Sequence, residues 1–469
     1  MRKLISKIAL FSAFGFLVIL SACKQKDVLQ GDALVNEFVA VNMDFWYYWR
    51  DKIPAGALDN KTLASENYFN SLIYTFDKQA RPDGDRFSRF LTNAESTEAS
   101  LLGESKTTGA RIALYNNNGN IAGFVMYVYP DSPAQKSGIK RGDIFSKITV
   151  DGEIATSSNY GQLFEKGTNY VYTLGKVDSG NFVNTDQTKS VVALPLQEDP
   201  MLLDTVYVKN DKKIGYLVYN RFYSKPNNSD QPLYDQKMAR IFGKFKTAGI
   251  NEFVLDLRYN GGGYISTAVV LGSFIAKGVT DKTVFSKDEY NSKVAPELEK
   301  KQGKEFNINY FQNKAENVGS NLQRVYVLVS GRTASASELV INALKPFMEV
   351  VIIGDVTVGK NVGSIVIKDD KKRFQQGMMP IVLKTFNSAG KSDYTTGFVP
   401  SVTVKESLSQ PFYAFGDLRE PLLSEAYFQI TGTRNARRGI VETIELDKKK
   451  IAPLAVETEM IVENPGITF

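Results

Sequence analysis

Between residues 212 and 430, short apolar runs alternate with helix-patterned stretches, and this alternation restricts the fold more than any other feature. KIGYLVYN, FVLDLR (253–258), VYVLVS (325–330) and VVIIG are dominated by Val, Ile, Leu, Phe and Tyr, the composition of buried strands. Between the first two, LYDQKMARIFGKFKTAG sets Met238, Ile241, Phe242 and Phe245 on one helical face and stops at Gly249. Strands in strict alternation with helices predict an α/β core over residues 201–431.

The flanks read differently, which makes the chain multidomain. Residues 35–105 predict a helical N-terminal domain: NEFVAVNMDFWYYWRDKIP presents Phe38, Met43, Phe45, Trp46 and Trp49 at spacings of three to five, and Pro54 marks the end of its first helix. Residues 106–200 predict a small β domain with Gly and Asn turns, Asp151-Gly152 among them. At the start, Arg2, Lys3 and Lys7 precede the apolar run 8–20, which ends in Leu-Ser-Ala-Cys23. Thirteen apolar residues are too few for a span of about 20. They suit a signal peptide, 1–22, and the closing Leu-Ser-Ala-Cys resembles a bacterial lipobox. Cys23 is then lipidated, residues 23–34 form a tether, and the chain sits in the cell envelope, held to a membrane by its acyl chains. Residues 432–469 form a polar C-terminal tail with no function assigned.

Composition removes whole classes of chemistry. The 469 residues include no histidine and a single cysteine, Cys23. A Ser-His-Asp triad, a Cys-His pair and an HExxH zinc site are therefore excluded, as are intrachain disulfides. Three of the charges behind the formal +6 lie in the leader. The mild remainder, without any recognition pattern, argues against nucleic acid. Acid–base work near neutral pH falls to Lys, Tyr, Asp or Glu with shifted pKa values.

Two short segments carry the chemistry. T-A-S-A-S-E (333–338) lies between a buried-type strand and a helical stretch, so Ser335 stands at a sharp turn at the positive end of a helix dipole. In isolation it reads more readily as a cap, since Ser335 and Glu338 make an S-x-x-E capping box. Lys360 follows another apolar strand in a glycine-flanked loop, where loss of water favours a neutral amine. The same loop, Gly354 to Lys360, fits the first seven positions of a P-loop, but Asn361 replaces the required Ser or Thr and a strand follows instead of a helix. S-x-x-K also occurs at Ser137–Lys140 and Ser388–Lys391, neither of them at a helix start.

DSPAQKSGIKRGDIFSKITVDGE resembles a PDZ domain of the bacterial protease type, with its carboxylate loop near Gly109, Ala110, Arg111 and Ile112. With LDLRYNGGG (255–263), VYVLVSGRTASASE (325–338) and IIGDVTVGK (352–360), the chain resembles the C-terminal processing, or tail-specific, serine peptidases. That resemblance implies a crotonase/ClpP-like core, a protein or peptide substrate and no metal or organic cofactor. It also implies Ser335 as nucleophile and Lys360 as base, with an oxyanion hole from Ala336 and Gly262 or Gly263. Many members carry a glutamine four residues after the lysine. Here Ser364 occupies that place, so a third catalytic member stays open, and a catalytically inactive peptide-binding scaffold is the alternative.

Overall fold

The computed structural model describes residues 30–178, 181–406, 412–434 and 459–461. The leader, Cys23 and most of the tail lie outside these residues. Among them no helix is long and apolar enough to cross a membrane.

The α/β core is built on a six-stranded sheet in the order Met201–Lys209, Lys212–Tyr219, Glu252–Asp256, Arg324–Val329, Glu349–Gly354, Val402–Thr403. The first pair is antiparallel and all later pairs are parallel. Alternate side chains serve opposite faces. Leu217, Tyr219, Phe253, Leu255, Val325 and Val327 pack beneath the helices Leu233–Ala248, Ile265–Ile275 and Ala336–Leu344. Tyr216, Val218, Val254, Tyr326, Leu328 and Ile353 meet the helix Pro421–Thr431 on the other side. Burial on both faces explains the near-continuous apolar runs. The helix Leu233–Ala248 buries Met238, Ile241, Phe242 and Phe245, and Gly249 closes it in the left-handed conformation.

A second six-stranded sheet packs alongside. Its order is Gly262–Tyr264, Glu459–Ile461, Val362–Ser364, Ile381–Asn387, Val284–Tyr290, Ile308–Tyr310. The tail, read from sequence as polar and without a role, thus supplies an interior strand.

The N-terminal helix Gly31–Trp46 and the helix Ser65–Ser71 bury Val39, Met43, Trp46, Tyr68 and Phe69 in the same apolar cluster as the main sheet. The first helix stops eight residues before Pro54. Asn291 Nδ2 takes the carbonyls of Phe45 and Tyr47, each at 2.8 Å, and so captures groups that a continuing helix would bond internally. Farther on, Arg89–Leu91 pairs with Gly377–Met379 in a three-stranded sheet.

A six-stranded antiparallel sheet takes the order Ala110–Asn117, Asn120–Val128, Ile144–Val150, Asn169–Asp178 and Asn181–Val192, with Glu153–Ile154 also paired to Ile144–Val150, and carries short helices Pro133–Lys136 and Tyr160–Lys166. Its own core includes Ile121, Val125, Phe145, Ile148 and Tyr172. Ala110–Asn117 is an edge strand. This β module is joined to the main sheet by buried charge. Arg141 bonds to Tyr259 Oη and Glu406, and Glu406 is shared with Arg258, which also pairs with Asp256 and Glu420. Burial alone would push the Glu406 carboxyl up, but the two guanidiniums outweigh it and hold it down at about 2.

Candidate active site

The strand Arg324–Val329 ends in the turn that carries Ser335, the residue directly before the helix Ala336–Leu344. Ser335 adopts φ +66°, a conformation that side chains rarely take. Such a strained turn persists only where the surroundings hold it. They do so through backbone bonds. Thr333 Oγ1 donates to Leu257 O at 2.8 Å, Ala334 N–H to Asn260 O at 3.1 Å, and Ser337 Oγ to the same oxygen at 3.0 Å.

Glu338 is the centre of the arrangement. Its carboxylate accepts from Ser335 N–H at 2.8 Å, as a capping box requires. It also accepts from Thr357 Oγ1 at 2.5 Å, Gly359 N–H at 2.7 Å and Lys360 N–H at 2.8 Å. One buried carboxylate therefore ties the Ser335 turn to the Lys360 loop. Burial pushes its pKa up, and the four donors work against that. The box was legible as local capping. Its second use, across 22 residues, was not.

Ser335, Lys360 and Ser364 are each 0% exposed. The hydroxyls of Ser335 and Ser364 have no hydrogen-bond partner among the described residues. The Lys360 ammonium lies 5.1 Å from the centre of the Phe87 ring. Arg86, beside it, donates to the carbonyls of Gly359 at 3.0 Å and Thr395 at 2.8 Å. Both residues come from the N-terminal segment, and no local signal marks either.

The loop after Glu252–Asp256 is organised by Asn260. Its side chain donates to Tyr219 O and accepts from Gly262 N–H, both at 2.9 Å. The Gly262 amide is thus already engaged, and Gly263 pairs with Phe222 on one side and Met460 on the other. Gly263 has φ +140°, and a Cβ there would stand 2.1 Å from Phe222 O, so only glycine fits. The i to i+2 bond of Asn260 is a local turn that the Asn-Gly pair foreshadows.

The remaining residues lie elsewhere. In the β module Ala110, Arg111 and Ile112 are in the edge strand, and Gly109 (φ +84°) directly precedes it. Arg111 bonds to the buried Glu198. Among the described residues no group of three or more His, Cys, Asp or Glu is arranged for a metal.

With this geometry in view, the comparisons are specific. "Peptidase family S41" matches residues 213–379 and "Peptidase S41 N-terminal domain" residues 35–89. The chain is 23% identical over 361 residues to the carboxy-terminal-processing protease of Bartonella bacilliformis, covering 75% of this chain and 71% of that one. It is 25% identical over 279 residues to a CtpA-like serine protease of Staphylococcus epidermidis, covering 59% of this chain and half the length of the relative. The crystal structure of an S41 protease from Bacteroides fragilis superposes with a TM-score of 0.68 at 26% identity, over 84% of this chain and 97% of that one. The class so defined is a mixed α/β serine hydrolase. The chain's matched segments are similar to peptidase family S41 and to the C-terminal-processing proteases within it.

Proposed function

We propose that the chain is a lipid-anchored serine endopeptidase of the cell envelope that cleaves protein substrates through Ser335 and Lys360. The observation that carries this reading is the Glu338 carboxylate, which holds the backbone amides of both residues while the Ser335 hydroxyl stays unpartnered. Lys360 is out of water, which favours its neutral form and suits it to take the Ser335 proton. The Phe87 ring then faces the ammonium that results.

In this mechanism Ser335 Oγ attacks the scissile carbonyl. The amide of Ala336, first of its helix, and that of Gly263 receive the oxyanion. Lys360 returns its proton to the leaving amine, and water hydrolyses the acyl-enzyme. Ser364 is a candidate to orient Lys360 through its unpartnered hydroxyl. The β module acts as a PDZ domain, adding a substrate C-terminus or extended segment to the edge strand Ala110–Asn117 and its preceding turn at Gly109. Cys23 carries the lipid.

The test is cleavage of casein or a tailed peptide by the chain from residue 24, which retains every described residue. Ser335→Ala and Lys360→Ala should each abolish cleavage while peptide binding, read by fluorescence anisotropy, persists. Turnover that survives Lys360→Ala sinks the dyad, and wild-type binding without turnover favours an inactive scaffold. Cleavage should fall towards acid pH as Lys360 becomes protonated. Labelling of the full chain with radioactive palmitate, lost in Cys23→Ala, tests the anchor.

A further inference from the structure

A nucleophile that is 0% exposed cannot meet a substrate carbonyl unless something moves aside. The second sheet shows what lies against the candidate oxyanion glycine. Gly262–Tyr264, with the candidate oxyanion glycine, and Val362–Ser364, which follows Lys360, are not neighbours. The strand Glu459–Ile461 lies between them. It runs parallel to both, with Gly262 opposite Glu459, Gly263 opposite Met460 and Tyr264 opposite Ile461, while Ser364 also faces Ile461. The tail backbone therefore lies against Gly263, the residue assigned to receive the oxyanion.

Ile461 anchors this strand. Its side chain is 2% exposed in a pocket of Leu91, Ala94, Leu101 and Met379, with Tyr264 and Val366 at the margin. The pocket walls come from four separate stretches of chain, and the occupant arrives from a fifth, through a three-residue strand. One buried side chain on a three-residue strand is enough to seat it and little enough for a competing peptide to displace it.

We infer that the slot between Gly262–Tyr264 and Val362–Ser364 is the strand-accepting peptide site of the peptidase core, and that Glu459–Ile461 is its resident competitor. A substrate enters as an extended segment parallel to Gly262–Tyr264, places its backbone where residues 459–460 now lie, and puts a branched aliphatic side chain in the Ile461 pocket. The main-chain ladder supplies affinity and the pocket supplies selectivity. The inference rests on the peptidase reading and adds to it the direction of entry, one side-chain preference and an internal brake.

The first experiment uses binding alone, so that it does not depend on catalysis. In the Ser335→Ala background, a fluorescein-labelled extended peptide carrying isoleucine should bind several-fold tighter when Ile461→Asp is added. An aspartate in the same peptide position should abolish the gain. In the Ser335-containing chain, Ile461→Asp should lower KM several-fold with little change in kcat. Unaltered affinity and KM, at an unaltered melting temperature, overturn the inference. If Ile461→Asp unfolds the chain, a second variant decides. Tyr264→Cys with Ile461→Cys, in the chain from residue 24, contains no other cysteine. Its oxidised form should lose the isoleucine-dependent part of the binding, leaving only what the β module holds, and its reduced form should recover it. Equal binding in both forms refutes the slot. Tighter binding by Ile461→Asp without turnover in any form would retain the slot and reject the peptidase reading.

Discussion

At the scale of single residues, Glu338 does most to join two distant loops. Four donors converge on its carboxylate, and removing it strands them in a buried space. Glu338→Ala should destabilise the fold by about 3 kcal/mol or more and remove activity, and Glu338→Gln should lose less but still a large part, because its amide nitrogen would face two of the four donors. Urea unfolding beside kcat/KM separates these effects. Asp288 has the opposite character. Burial pushes its carboxyl up to about 7, against a single bond from Asn309, while an unfolded aspartate titrates near 3.8. Between those values the folded chain holds the extra proton, so this residue takes stability away as pH rises through the window. Asp288→Asn should flatten the decline of the urea midpoint between pH 3.8 and about 7; an unchanged slope assigns that decline elsewhere.

At the scale of elements, the sequence was most legible where periodicity alone decides. Met238, Ile241, Phe242 and Phe245 read as one face because a helix returns every three to four residues, and they are that helix's buried set. The turn holding Ser335 was legible from the change of pattern at 333–338, but its φ of +66° was not, since tertiary bonds impose it. Arg89–Leu91 pairing with Gly377–Met379, and Glu459–Ile461 entering the second sheet, carry no local signal, because their partners lie far away in the chain. Pro54 misled for a related reason: Asn291, more than two hundred residues away, ends that helix earlier. The glycine loop yields a sharp expectation. Gly263→Ala drives a methyl into Phe222 O at 2.1 Å and should lower kcat by roughly 100-fold or more, with Gly243→Ala as a control where a Cβ meets nothing nearer than Glu316 Cγ at 3.7 Å.

At the scale of the whole molecule, the β module and the peptidase core share the ion cluster of Arg141, Glu406, Arg258, Asp256 and Glu420. Removing one charge leaves its partners buried and uncompensated, so Glu406→Gln should lose about 3–5 kcal/mol. Because the folded carboxyl lies at about 2 and the free one near 4.5, its contribution is complete above 4.5 and disappears as pH falls through about 2. Acid unfolding followed by circular dichroism should therefore begin at higher pH in wild type than in Glu406→Gln when each is compared with its own stability at pH 7. The Glu338 clamp has a consequence in time as well as in space. Phe87 and Arg86 emerge early in synthesis, Ser335 much later, and the carbonyl of Thr395 that Arg86 grips later still. A nascent chain holding Ser335 but not yet the Lys360 loop has nothing for the Glu338 carboxylate to close around, so on the proposed mechanism cleavage capacity arises only after most of the polypeptide has been made.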